Sequence, residues 1–144
     1  MESAVAEPGL LCLQERAQAS ENKAIIRRLV EEGMNKDRLD LFDETYSQAY
    51  IERRGVQGFK EQSAQTRAAF PDYGYTIDDI VAEDDKVSVR WTMRGTHLGE
   101  YQGIPATGRA VTLTGMHMFQ LDAAGKIEEM WSQASRETLL QQLI

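Results

Sequence analysis

Cysteine occurs once in this chain, at Cys12, and histidine only twice. One thiol excludes an intrachain disulfide and any cage built from cysteine ligands, and it fits a reducing cytoplasm. No basic run is present and the net charge is −7, which argues against a phosphate-backbone partner, so nucleic acid is not expected. No apolar stretch approaches the length of a membrane span. The segment Met1 to Pro8 carries Glu2 and Glu7 but no Lys or Arg, so it does not read as a signal peptide. Repeats and low-complexity tracts are missing too. What remains is 144 residues, 42% apolar and 27% charged: one soluble globular domain able to bury a core.

The strongest pattern runs from Arg109 to Ser135, where two alternating apolar/polar runs flank Asp122-Ala-Ala-Gly125. That is an antiparallel hairpin, with Gly125 free to take a positive φ. Period 2 places Val111, Leu113, Gly115, His117 and Phe119 on one face, and Thr112, Thr114, Met116, Met118 and Gln120 on the other. Two earlier strands are expected, Tyr73 to Ala82 and Lys86 to Thr96, with Asp84-Asp85 as the turn between them. In the second, Val87, Val89, Trp91 and Met93 share a face. His97 to Thr107 is dense in Gly and Pro and reads as a loop. Gly95, Gly103, Gly108 and Gly115 are candidate bending points.

The N-terminal half has a helical rhythm. Residues 1–9 read as a loose tail ending in Pro8-Gly9, and residues 1–20 as a flexible or helical extension of a domain covering 21–144. Ile25, Ile26, Leu29, Val30, Gly33 and Met34 recur at three- and four-residue spacing, with Ser20 as the expected N-cap. Asn35-Lys36-Asp37 breaks this helix. Leu39, Phe42 and Tyr46 mark a second, starting near Asp37 or Arg38. Ala49 to Arg53 is short and β-compatible. Val56, Phe59, Ser63 and Phe70 share one side of a third helix, which Pro71 stops. Arg136 to Ile144 closes with a short helix. Helices first and antiparallel strands afterwards are the α+β pattern: a strongly curved, mostly antiparallel sheet folded on an N-terminal helix layer, with room for a cavity between them.

His117 is the sharpest candidate site. A lone imidazole in an apolar row is more often a core residue bonded to backbone; the functional reading is a cavity-facing acid/base group with a pKa near neutrality. His97, in its Gly/Pro loop, reads as a residue pinning local backbone. Neither HxH nor HxxxH spacing occurs, so no metal is expected. Trp91 and Trp131 are read either as core or as walls of an apolar pocket, with Phe119 and Met130 beside them. Tyr50 and Glu52 could border such a pocket.

Several phrases then accumulate: Phe70-Pro71-Asp72, Ile80 to Val87, Arg94-Gly95-Thr96-His97-Leu98-Gly99-Glu100, Gly103-Ile104-Pro105-Ala106-Thr107-Gly108-Arg109, and Gly125 to Trp131. Together they closely resemble the SnoaL-like polyketide cyclase (ester cyclase) family of the NTF2-like superfamily, over roughly Glu21 to Ile144. The resemblance implies an NTF2-like cone-shaped barrel, a deep apolar pocket, a homodimer, and cyclisation of aldol type without cofactor or metal. It implies a histidine and aspartate pair on the last two strands. His117 matches the histidine; the aspartate falls at Ser132, or at Ser135 in another register. A histidine often seen in the first short strand is Glu52 here, and a common arginine is Gln120. The expected site is therefore His117 with Ser132 and Glu52 as catalytic groups, and Tyr50, Trp91, Phe119, Met130 and Trp131 around a hydrophobic ligand. The rival expectation is a non-catalytic binding module, motivated by serine at 132. A weaker third is a dimerising accessory domain using the face of Thr112, Thr114, Met116 and Met118.

Overall fold

The computed structural model describes residues 8–144, and the expectations for residues 1–7 lie outside it. Helix α1 spans Pro8–Arg28 and runs on through a π-helical turn, Leu29–Met34. Ser20 is therefore mid-helix and not a cap, and Pro8-Gly9 belong to the helix. The wider π turn, closed by Asn35 N–H donating to Val30 O at 3.0 Å, buries the consecutive residues Leu29 and Val30 together with Gly33.

Two short helices follow, α2 (Asp40–Thr45) and α3 (Gln48–Arg53), then α4 (Gln57–Ala69), which ends just before Pro71 as expected. The break before α2 comes at Asp37, whose φ is 57°. Helix α3 replaces the short strand expected at Ala49 to Arg53. Ser47 caps it, its Oγ accepting from Tyr50 N–H at 3.1 Å, and that local bond outweighs the β-compatible side chains. Just before α3, Tyr46 forms one parallel bridge with Ile127.

The second half is one antiparallel sheet in the order β1 (Gly74–Glu83), β2 (Lys86–Thr96), β3 (Ala110–Leu121), β4 (Ile127–Ala134). The fold is thus α+β, N-terminal helices packed on a four-stranded antiparallel sheet. The hairpin turn forms as read: Gly125 has φ 78°, and Asp122 Oδ1 accepts from the N–H groups of Ala124 and Lys126, both at 2.9 Å. The inner rows are also as read, with Val87, Val89, Trp91 and Met93 of β2 and Val111, Leu113 and Phe119 of β3 all buried. Each such apolar side chain contributes ~1.5–3 kcal/mol on burial. They meet Ile26, Leu29, Leu41, Phe42 and Tyr46 from the helices.

The four glycines divide by role. Gly103 and Gly108 turn the loop at φ 82° and 72°, outside any strand. Gly95 and Gly115 are within strands and leave room for neighbours. A Cβ on Gly95 would come within 3.0 Å of Phe70 Cβ, and one on Gly115 within 2.8 Å of Trp91 Cε2 and Cη2. His97 pins its loop: its N–H donates to Arg109 O, its O accepts from Gly108 N–H, and its Nδ1 accepts from Thr107 N–H at 3.2 Å.

Helix α5 (Arg136–Gln142) folds back on the part of β3 that β4 does not cover. Gln142 stands in for a missing strand there, its side chain accepting from Thr112 N–H and donating to Thr112 O, each at 2.8 Å. Leu139 and Leu143 bury beneath it, and this fixes where Arg136 projects.

Candidate active site

A cavity of about 870 Å³, its open mouth included, lies between the helices and the inner sheet face. Its enclosed part is much smaller, about 120 Å³. Leu29, Val30 and Met34 of the π turn, Phe42, Tyr46 and Phe59 line the helix side. Tyr75, Val89, Trp91, His117, Phe119, Met130 and Ser132 line the sheet side. Gln62, Ser132 and Arg136 are solvent-exposed lining residues and mark the mouth.

His117 faces this cavity because period 2 on β3 puts it between Gly115 and Phe119. Gly115 pairs with Trp91 across the strands, and its missing side chain is what lets the indole lie over β3. From there Trp91 Nε1–H donates to His117 Nδ1 at 2.7 Å. Indole nitrogen can only donate, so Nδ1 of the neutral imidazole must accept and the proton must be on Nε2. Tyr75 packs edge-on against the indole at 5.0 Å, and Phe119 stacks on the imidazole at 5.7 Å. Among the described residues His117 Nε2 has no protein partner, yet it is not sealed. His97 Nε2 is both unpartnered and sealed, in a wholly buried residue.

The pKa near neutrality expected for His117 is not what this environment gives. Burial first, and the Arg136 guanidinium second, push it down to about 4. At pH 7 only about one imidazole in a thousand carries a proton on both nitrogens. The site therefore presents a neutral N–H donor.

The other expected site residues separate sharply. Trp91, Phe119, Met130 and Ser132 line the cavity with His117, and Ser132 is the direct cross-strand partner of His117. No hydrogen bond joins those two among the described residues, and Nδ1 is already taken by Trp91. Trp131 does not line the cavity. It pairs with Met118 on the outer face and is 50% exposed. Met130 and Trp131 are neighbours in one strand, so period 2 forbids both from facing inward. Glu52 is exposed on α3, where it accepts from Gln48 Nε2 at 3.1 Å, and it does not reach the cavity. The helical turn that replaced the expected strand carries it away. Tyr50 is buried one layer behind the wall, 4.8 Å from the Tyr46 ring, and burial pushes its pKa up.

Arg136, Gln62 and the helix-side wall were not foreseen. The wall was within reach of the helix periodicity, since Val30 and Met34 share the apolar stripe. Arg136 follows from the docking of α5, which no local pattern encodes. With its amide oxygen turned toward the guanidinium, Gln62 accepts from both terminal nitrogens of Arg136 across the mouth.

Solved structures with this fold include AclR, a candidate hydroxylase from Streptomyces galilaeus, 24% identical with a TM-score of 0.74, covering 87% of this chain and 96% of that one. A candidate SnoaL-like polyketide cyclase from Jannaschia sp. CCS1 is 21% identical with a TM-score of 0.73, covering 87% and 92%. IdmH, a candidate polyketide cyclase from Streptomyces antibioticus, is 30% identical with a TM-score of 0.70, covering 85% and 97%. No curated protein matches significantly. The family model for SnoaL-like polyketide cyclases matches residues 24–143, and the chain belongs to that family.

Proposed function

We propose that the protein is a cyclase-type enzyme that acts without a cofactor on a hydrophobic, polyketide-like or ester substrate. His117 acts in it as a neutral donor to an oxygen that gains negative charge. The observation that carries this reading is the Trp91–His117 hydrogen bond, with Nε2–H left open beside the cavity. In an aldol closure the α-carbon loses a proton and the former carbonyl becomes an enolate. A fixed N–H at that oxygen, in an apolar enclosure, lowers the energy of the developing charge. The one ring lone pair, on Nδ1, is taken by the Trp91 N–H, so proton removal does not fall to His117. Among the described residues the cavity lining contains no carboxylate, so the α-proton passes to water at the mouth, where Ser132 offers a relaying hydroxyl. The substrate suited to such a site carries an α-carbon already activated by two carbonyls.

The missing carboxylate favours a second reading, a binding module that carries out no chemistry. One titration separates the two. Bound 2-naphthol mimics the enolate, and its absorbance reports its ionisation. The catalytic reading expects its pKa to fall by about one unit on binding, and His117→Phe to remove most of that shift. Binding with an unshifted pKa leaves the module; a raised pKa rules out oxyanion stabilisation. A homodimer belongs to the same proposal, supported by Met116, Met118 and Trp131, which are 42–51% exposed on one outer face. Light scattering that gives a monomer at micromolar concentration would remove it.

A further inference from the structure

The protein carries a net charge of −7, yet among the described residues the cavity lining has one charged group and it is a cation. Arg136 stands at the mouth with no carboxylate partner among the described residues, whose ion pairs all lie elsewhere. In a chain with 23 acidic residues, an arginine left without one at the opening of an apolar cavity is informative. It is also held in place. With its amide oxygen turned toward the guanidinium, Gln62 on α4 accepts from the terminal nitrogens of Arg136, and α5 is fixed by the Gln142–Thr112 pair and by buried Leu139. The field of the guanidinium reaches inward, where it lowers the proton affinity of both His117 and Tyr75.

We propose that Arg136, steadied by Gln62, is the recognition site for a carboxylate or similar anionic group, so that the ligand is an amphipathic acid with its apolar body inside and its anionic end at the mouth. The guanidinium fork offers two parallel N–H donors that a carboxylate accepts together. Gln62 engages it through a neutral oxygen, which an anion can displace or share. This inference rests on the cavity being a ligand site, as proposed above, and adds the charge of the ligand.

The test compares 2-naphthoate with neutral 2-naphthamide by calorimetry, in wild type, Arg136→Gln and Arg136→Lys. The expected result is that wild type prefers the acid. Arg136→Gln should weaken 2-naphthoate about fivefold while changing 2-naphthamide less than twofold, and added salt should erode the preference. Arg136→Lys should keep part of it, since it keeps the charge and loses the fork. Equal affinity for acid and amide in wild type, or an Arg136→Gln variant that still prefers the acid, overturns the inference and leaves the ligand cavity standing. If neither probe binds wild type, the ligand-site reading falls and this inference goes with it.

Discussion

Replacing Trp91 with phenylalanine removes one donor and keeps an aromatic ring against Tyr75, whose centroid lies 5.0 Å from the indole. The lost bond is Nε1–H to His117 Nδ1 at 2.7 Å. It stabilises only the neutral imidazole, because a protonated Nδ1 has no lone pair to accept with. A net hydrogen bond is worth ~0.5–1.5 kcal/mol, so its loss should raise the His117 pKa by up to about one unit. Burial and Arg136 still act, so the value should remain below the ordinary 6.5. The assay is ¹⁵N NMR of the imidazole ring followed against pH. Wild type at pH 7 should show one neutral tautomer with the proton on Nε2. Trp91→Phe should show both tautomers and a higher pKa, with a stability loss of ~1–3 kcal/mol from the vacated volume. A variant with the same tautomer and the same pKa would mean that the indole does not set the state of the imidazole. A wild-type pKa near 6.5 would refute the burial argument as well.

Three further outcomes are expected. The folded His117 pKa of about 4 lies below its ordinary 6.5, so the contribution of His117 is complete above pH 6.5 and is lost as pH falls toward 4. Urea unfolding of wild type and His117→Gln across that window should show wild type losing about 3 kcal/mol relative to the variant, and parallel curves would contradict the shift. Gly115→Ala places a methyl group where the indole lies, so it should displace Trp91 and free His117 Nδ1, and the ¹⁵N spectrum should resemble that of Trp91→Phe; an unchanged spectrum would show that the strand yields instead. Ser47→Ala removes the cap of α3 and should cost about 1 kcal/mol in thermal unfolding while leaving the bound 2-naphthol pKa in place; a large loss of that signal would mean α3 does more than support the wall.

The sequence by itself determined the layer order, the hairpin and the inner face of β3. Strand parity and turn chemistry are local properties, and Asp122 to Gly125 together with the row from Val111 to Phe119 state them openly. The same parity could have kept Trp131 out of the cavity once Met130 was placed inside. The motif phrases carried the family. Tertiary structure decided the rest. Only the pairing of Gly115 with Trp91 brings an indole donor to His117, which turns a nominal acid/base group into a neutral donor. Only the docking of α5 brings Arg136 to Gln62, residues 74 positions apart, to make the mouth. A capping serine turned Ala49 to Arg53 into a helix and carried Glu52 outward. Proton affinity and hydrogen-bond partnership depend on burial and on neighbours from distant strands and helices, and spacing along the chain cannot encode either.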